Sequence, residues 1–324
     1  MFFKDKTILV IGGTGTIGTS VVKEILKDSP KKIKIFSRDE YKQHQVREMF
    51  GHHNAIHFLI GDIRDASRVE EVMSNVDYVL HLAAMKRVDA CEENPMEAVE
   101  TNIVGSANVR NAAIKKNVKK VIFTSSDKAI SPTNTYGATK LIAERLLANP
   151  SSSSTKFASV RFGNVMGSRG SVIPLFQEQI KMNQKITITD PKMTRFMMTL
   201  SQATSLTLQA LKESKGGEVF VLKMPVIRLG DLADLLIQHS GSPVTTEYIG
   251  LKPGEKMYEE LMTYDESQQA WELEDMFVIP SESARVYPDS KKVKHGTYRS
   301  NDQEVVTKEQ LQQLLLEAGF LEKR

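Results

Sequence analysis

Short apolar runs bounded by polar or glycine residues recur along the first half of the chain. They are Thr7–Ile11, Ile33–Phe36, Ile56–Ile60, Tyr78–Leu82, Val121–Phe123 and Phe157–Val160, each of strand length. Between them the apolar spacing changes to three and four, as in Ile17-Val21-Val22-Ile25-Leu26, which is the spacing of a helix with one buried face. Strand and helix alternating this often predict an α/β domain, a doubly wound parallel sheet covered by helices on both sides. After about residue 165 the rhythm breaks. Short strands (Ile186–Ile188, Val219–Leu222) mix with helices (Leu229–Ile237, Lys308–Leu315) and turn signals, predicting a smaller mixed α/β domain. With Val219–Leu222 returning to the first sheet, the expected division is 1–165 plus about 199–224, against about 166–198 and 225–324.

The first strand runs into Gly12-Gly13-Thr14-Gly15-Thr16-Ile17-Gly18 before the first helix. Glycines there permit a tight turn, close backbone approach to a pyrophosphate and close helix–strand packing. The helix start then offers amides and positive dipole to the phosphates. Placed between a strand and an amphipathic helix, the motif predicts a dinucleotide site on a Rossmann sheet. The spacing Gly12-x-x-Gly15-x-x-Gly18 resembles short-chain dehydrogenase/reductases of the extended type. Ser37-Arg38 ends the second strand where an acidic residue would bind a ribose diol; a hydroxyl and a guanidinium suit a 2′-phosphate. NADP is therefore expected, and Asp39 one residue later keeps NAD as the alternative. Asp62-Ile63 is expected beside the adenine, and Ala83-Ala84 beside the cofactor's middle.

Tyr136 and Lys140 stand four apart at the start of a helix expected over Tyr136–Leu147, so they share a face. Tyr248/Lys252 and Tyr287/Lys291 have the same spacing, but only Tyr136 follows the fifth strand at the sheet edge where the cofactor belongs. A tyrosine of pKa about 10 must fall by about 3, or ~4 kcal/mol, to act as a base at neutral pH. A lysine ammonium about 5 Å away supplies roughly 3 kcal/mol at an effective dielectric of about 20, and a positive nicotinamide ring can add the rest. Directly after the fifth strand comes Thr124-Ser125-Ser126-Asp127-Lys128-Ala129. Blindly, Asp-Lys after a strand is a solvated turn; at the same sheet edge as Tyr136 it becomes an acid and a base, as elimination of water requires.

Composition narrows the classes further. Lys plus Arg number 43 against 40 Asp plus Glu, a net charge of +3, so no basic stripe points to nucleic acid. The single cysteine, Cys91, excludes a disulfide scaffold, and beside Glu92 and Glu93 it makes a poor nucleophile. His44, His52, His53 and His57 lack carboxylates or thiols at ligand spacing, so no metal is expected. No apolar run reaches the ~18 residues of a membrane helix, and Ile8–Ile11 is too short for a signal peptide. A soluble cytoplasmic protein without a membrane partner is expected.

Ser126-Asp127-Lys128-Ala129 followed by Asn134-Thr135-Tyr136-Gly137-Ala138-Thr139-Lys140 resembles the short, soluble UDP-N-acetylglucosamine 4,6-dehydratases of bacterial flagellin and surface-glycan pathways. The likeness extends to Phe36-Ser37-Arg38-Asp39-Glu40, Ala83-Ala84-Met85-Lys86-Arg87-Val88, Arg161-Phe162-Gly163-Asn164-Val165, Met193-Thr194-Arg195-Phe196 and Pro253-Gly254-Glu255-Lys256. It implies that Tyr136, helped by Lys140, takes the 4-hydroxyl proton of a UDP sugar as hydride passes from C4 to NADP. Lys128 would then be the base at C5, Asp127 the acid at the departing 6-hydroxyl, and hydride would return to C6. Reprotonation of C5 from the opposite face would invert it. The resemblance also implies substrate contacts by Lys86, Ser126, Asn164, Arg195, Lys252 and Glu255, and a homo-oligomer. Ser126 replaces the family's frequent threonine, and Lys252 replaces an expected arginine, exchanging a fork for a point charge. Tyr136 groups the chain with the inverting enzymes, since longer membrane-anchored relatives tend to carry methionine there. Alternatives left open are C5 retention or release of the 5,6-ene, a UDP-sugar 4-epimerase, and a non-catalytic NADP-binding sensor.

Overall fold

In a computed structural model that describes residues 1–148, 154–168, 170–251, 254–281, 287 and 290–322, the expected alternation forms one large sheet. Its first-half strands are β1 (Thr7–Ile11), β2 (Lys32–Ser37), β3 (Ile56–Ile60), β4 (Tyr78–His81), β5 (Lys120–Thr124) and β6 (Lys156–Arg161). They run parallel in the order β3-β2-β1-β4-β5-β6. Strand period places alternate residues on opposite faces. Ile8 and Val10 enter one core with Val21, Val22 and Ile25, whereas Leu9 and Ile11 enter a second with Val69, Val109 and Ala143. A sheet buried on both faces is why its strands read as continuous apolar runs.

Helices α1 (Thr16–Leu26), α2 (Glu40–Met49), α3 (Ala66–Val72), α4 (Val88–Glu93), α5 (Pro95–Val99), α6 (Gly105–Lys115) and α7 (Thr135–Ala148) connect these strands. Between α5 and α6 a π-helical turn, Glu100–Val104, widens the coil around Asn102. Beyond β6 come β7 (Asn164–Val165), α8 (Val172–Lys181), β8 (Ile186–Ile188), β9 (Thr194–Met198), α9 (Leu200–Glu213) and β10 (Val219–Leu222). Strand β10 lies parallel to β6 in the main sheet. Then follow β11 (Val226–Arg228), α10 (Leu229–Ser240), β12 (Thr246–Tyr248), β13 (Glu260–Met262), α11 (Tyr264–Ser267), β14 (Trp271–Glu272), β15 (Met276–Ile279), β16 (Lys291–Lys292), β17 (Tyr298–Arg299) and α12 (Lys308–Glu317).

The segment 225–324 does not stay apart from the sheet as expected. Strands β15, β14 and β16 extend it antiparallel beyond β10. These pieces are only two to four residues long, too short for periodicity to assign. A third apolar cluster does stand on its own: Ile173, Phe176, Ile186, Ile188, Leu232, Leu236, Leu311 and Leu315 unite α8, β8, α10 and α12. No helix among the described residues is long and apolar enough to cross a membrane.

Arg161 ties these parts together at the end of β6. Its Nε donates to Glu144 Oε2 at 2.9 Å, and its two terminal nitrogens donate to Glu266 at 2.9 and 2.7 Å. Glu144 belongs to α7 and Glu266 to α11, and Arg161 and Glu144 are fully buried. The cation also holds the Leu261 carbonyl of β13, at 3.3 Å. Arg161→Met leaves the fully buried Glu144 carboxylate uncompensated and removes the main partner of the partly buried Glu266, and is expected to cost about 3–5 kcal/mol. Urea denaturation at neutral pH measures the loss; an unchanged midpoint would mean that the triad does not hold the fold.

Candidate active site

The glycine turn follows β1 at the point where the sheet order reverses, between β1 and β4. Gly12 has φ +81°, and its N–H donates to the Phe36 carbonyl at 2.8 Å. A Cβ at Gly12 would stand 2.9 Å from the Ala83 nitrogen, and one at Gly18 would stand 2.5 Å from the Gly12 oxygen. The sheet therefore needs bare backbone at both positions. Gly15 gives α1 no side-chain cap, which suits an anion at the helix start. Thr14 is buried in the turn, and Thr16 and Ile17 are half-buried in the first helical turn.

At the far end of this groove, Arg38 Nη1 lies 3.4 Å from Asp62 Oδ2 and is more than half exposed. Asp62 is already clamped by Arg64, at 2.7 and 3.0 Å. Ser37 is held by Gln43, whose Nε2 donates to the serine Oγ at 3.0 Å. Asp39 accepts the Lys42 amide at 2.9 Å and caps α2. Ile63 packs against Gly105, where a Cβ would come within 2.7 Å of it. The Ala83–Lys86 loop is bound by Asn102 from the π-helical turn, which accepts the Met85 amide at 2.8 Å and donates to the Met85 carbonyl at 2.9 Å. The Asn102 amide also lies 2.9 Å from Thr139 on α7. Lys86 itself is exposed on the rim.

The residues expected to react gather after β5. Asp127–Ala129 forms one tight helical turn capped by Ser126, whose Oγ also donates to Asp127 Oδ1 at 2.8 Å. Lys128 Nζ donates to Asp127 Oδ2 at 3.0 Å. Helix α7 begins beside this turn, with Asn134 Oδ1 accepting the Gly137 amide at 2.8 Å. Gly137 permits the approach, because a Cβ there would collide with the Lys128 carbonyl oxygen. Burial raises the Tyr136 phenol above its usual value, opposed by the Ser126 hydroxyl and the Lys128 charge.

Lys140 is fully buried on α7, four residues after Tyr136. Its ammonium donates to the Thr124 carbonyl at 2.5 Å and lies 3.8 Å from the Phe123 ring centroid. Burial pushes its pKa down to about 7, against the pull of Glu144. The Lys128 charge favours the ionised phenol. Cys91 is buried near by and its thiol is pushed up to about 11, by burial first and then by Glu92 and Asp89.

The remaining members arrive from beyond β6. Asn164 and Arg195 lie on β7 and β9, and both meet Glu259, a residue for which no role is predicted above. Asn164 Nδ2 donates to Glu259 Oε1 at 2.8 Å, and Arg195 Nε lies 3.4 Å from the same oxygen. Glu255 sits further out, 4.0 Å from the Arg195 guanidinium. Lys252 lies outside the described residues. The loop at Gly254–Lys256 closes against 130–134: Thr133 Oγ1 donates to the Gly254 carbonyl at 2.9 Å, and Lys256 Nζ to the Ser131 carbonyl at 2.6 Å. Hydrogen bonds and ion pairs thus link Ser126, Asp127, Lys128, Asn164 and Arg195 through Glu259, with Tyr136 near enough to feel the Lys128 charge, whereas Arg38 follows β2. Glu259 and Asn102 could have been suspected only as acidic or amide residues at the edges of apolar segments, a signal that many surface positions share.

This architecture is that of known nucleotide-sugar enzymes. The model of the polysaccharide biosynthesis protein family matches residues 8–281. The solved structure of Pen from Bacillus thuringiensis superposes with a TM-score of 0.95 at 59% identity, covering 99% of this chain and 100% of that one. A protein of Rickettsia canadensis named UDP-glucose 4-epimerase is 38% identical over 99% of this chain and 98% of its own length. DesIV, a dTDP-glucose 4,6-dehydratase of Streptomyces venezuelae solved with NAD bound, has a TM-score of 0.71 at 20% identity, over 78% of this chain and 86% of that one, a likeness of fold. The chain belongs to the polysaccharide biosynthesis protein family, and it shares its fold with epimerases and dehydratases of nucleotide sugars.

Proposed function

We propose that the protein is a UDP-N-acetylglucosamine 4,6-dehydratase of the C5-inverting kind. The observation that carries this is the Asp127–Lys128 pair, joined at 3.0 Å and set beside Tyr136. The substituent-free glycine turn fits a dinucleotide pyrophosphate, and DesIV, of the same fold, holds NAD. A nicotinamide dinucleotide bound there supplies the hydride acceptor and donor that such a reaction needs at C4 and C6. Tyr136 takes the proton of the 4-hydroxyl, with Ser126 and Lys128 stabilising the phenolate.

At rest Lys128 is held protonated: burial opposes the charge, but Asp127 and Glu259 outweigh it. Asp127, though also penalised by burial, is held ionised by Lys128 and Ser126. Neither group is therefore ready for the role the family implies. One proton moved along their hydrogen bond, from Nζ to Oδ2, converts ammonium and carboxylate into amine and acid without separating charge. The amine then removes the C5 proton and the acid protonates the departing 6-hydroxyl. Water leaves, and the resting ion pair is restored. Arg195, on the far side of the cleft, has the fork that a diphosphate requires.

For the cofactor, NADP is favoured by Arg38, whose guanidinium is anchored only at 3.4 Å, and by Asp39, whose carboxylate is engaged in capping α2. A second reading, UDP-sugar 4-epimerase, is favoured by the name of the Rickettsia relative. That reaction needs Tyr136 but leaves the Asp127–Lys128 pair without a task.

Incubation with UDP-N-acetylglucosamine in deuterium oxide should yield a product lighter by one water, with deuterium at C5 and ring couplings of the inverted sugar. A product of unchanged mass identifies an epimerase; unchanged substrate removes this substrate assignment; a 5,6-ene or retained C5 corrects the stereochemical part alone. Lys128→Met is expected to slow water loss about 10²- to 10⁴-fold. Arg38→Ala should weaken NADP binding by roughly 10- to 100-fold with little effect on NAD, measurable by calorimetry. Equal losses for both cofactors would remove the 2′-phosphate role.

Lys140 adds a stability signature. Its folded pKa is depressed to about 7, while the unfolded chain keeps a lysine near 10.4. Between these values the unfolded state binds more protons, so folding stability rises with pH. Relative to Lys140→Met, the parent should gain up to about 4 kcal/mol between pH 7 and 10. Urea denaturation across that range checks it, and a constant difference between the two proteins would refute it.

A further inference from the structure

We propose that Glu259 is a positioning residue of this site, whose anchored carboxylate fixes the Lys128 ammonium and the Arg195 guanidinium relative to each other and keeps Lys128 charged until Asp127 takes its proton. The inference rests on the dehydratase reading and assigns a task to a residue outside the Asp–Lys–Tyr set.

Glu259 is 6% exposed, immediately before β13. Its backbone is clamped on both sides by Ser300: the Glu259 amide donates to Ser300 Oγ at 2.9 Å, and the Ser300 amide donates to the Glu259 carbonyl at 2.9 Å. The side chain is equally fixed. Oε2 accepts from the Phe196 amide at 2.9 Å and from Asn164 Nδ2 at 3.0 Å. Oε1 accepts from Asn164 at 2.8 Å and faces two cations, Arg195 Nε at 3.4 Å and Lys128 Nζ at 3.9 Å. Gly163 leaves room for the carboxylate, since a Cβ there would approach Oε2 to 3.2 Å.

A buried carboxylate is costly unless hydrogen bonds and charges compensate it. Here three hydrogen bonds and two cations do so, and they come from β7, β9 and the turn after β5. Glu259 is the one group that touches all of them. The titratable groups around Lys128 are Asp127 on its own turn, Tyr136 on α7 and Glu259, with Arg195 on the other side of Glu259. Asp127 must accept a proton during the cycle, so it cannot also be the constant counter-ion of Lys128. Glu259 can serve where it is ionised: burial and then the Asp127 charge push its carboxyl up to about 7, with Arg195, Lys128 and Asn164 opposing them. Its oxygens are committed to Asn164 and Phe196, and its distance to Nζ is that of an ion pair without a hydrogen bond.

The test compares the parent, Glu259→Gln and Glu259→Asp, each with the full chain and its bound cofactor, after melting curves have verified folding. Nitrogen-15 NMR of the lysine ammonium groups, with the Lys128 signal assigned from Lys128→Met, reads the Lys128 titration without turnover. Glu259→Gln should raise the acid dissociation constant of Lys128 about tenfold or more, and the alkaline limb of kcat/KM for water loss should move to lower pH with it. Glu259→Asp, which keeps the charge, should lower kcat/KM through misplacement yet leave the titration near that of the parent. An unchanged Lys128 titration in Glu259→Gln overturns the proposal, as does an aspartate variant that titrates like the glutamine one. An inert parent with a shifted titration in Glu259→Gln would remove the dehydratase reading and leave the electrostatic role standing. An active parent with no shift does the reverse.

Discussion

Arg161 is the residue on which the arrangement of the cleft depends. Its guanidinium leaves β6 and binds Glu144 on α7 and Glu266 in the segment that follows Glu259. A cation without solvent must find carboxylates in good geometry or the fold loses several kcal/mol, roughly 3–5 for one broken partner. Glu144 lies on α7, which bears the candidate residues Tyr136 and Lys140, and Glu266 lies on α11, which follows the strand that Glu259 introduces. The demand of one buried charge thus sets the two halves of the cleft against each other.

A second constraint is close approach. Gly137 lets the start of α7 rest on the carbonyl of Lys128, and Gly12 lets the phosphate turn rest on Ala83. Side chains at either place would push apart backbones that must meet. Asn102, set in a π-helical turn, reinforces this contact by holding both the Met85 backbone and Thr139. The rigid frame brings Asp127, Lys128, Arg195 and Glu259 together, with groups of opposite charge adjacent in a poorly solvated place.

Lys140 shows where spacing and environment part. The four-residue separation from Tyr136 places both on one helical face, as expected. Its ammonium nevertheless turns to the Thr124 carbonyl and the Phe123 ring, and burial brings its pKa down to about 7. Lys128, eight residues before Tyr136, has a charge that favours the ionised phenol.

Local pattern was enough for the doubly wound sheet, because strands buried on both faces leave continuous apolar runs and α1 leaves a three-and-four spacing. The glycine turn, Tyr136 and the Asp127–Lys128 pair were legible for the same reason: their chemistry lies in contiguous residues at the ends of recognisable strands. The extension of the sheet by β14, β15 and β16 was not, since strands of two to four residues carry too little period. Nor was Glu259, which lies more than 120 residues from Lys128 and owes its role to neighbours from three other segments. Protonation states belonged to the tertiary structure alone. The same lysine is an ammonium at 128 and poised near neutrality at 140, because carboxylates face the first and mainly apolar burial surrounds the second.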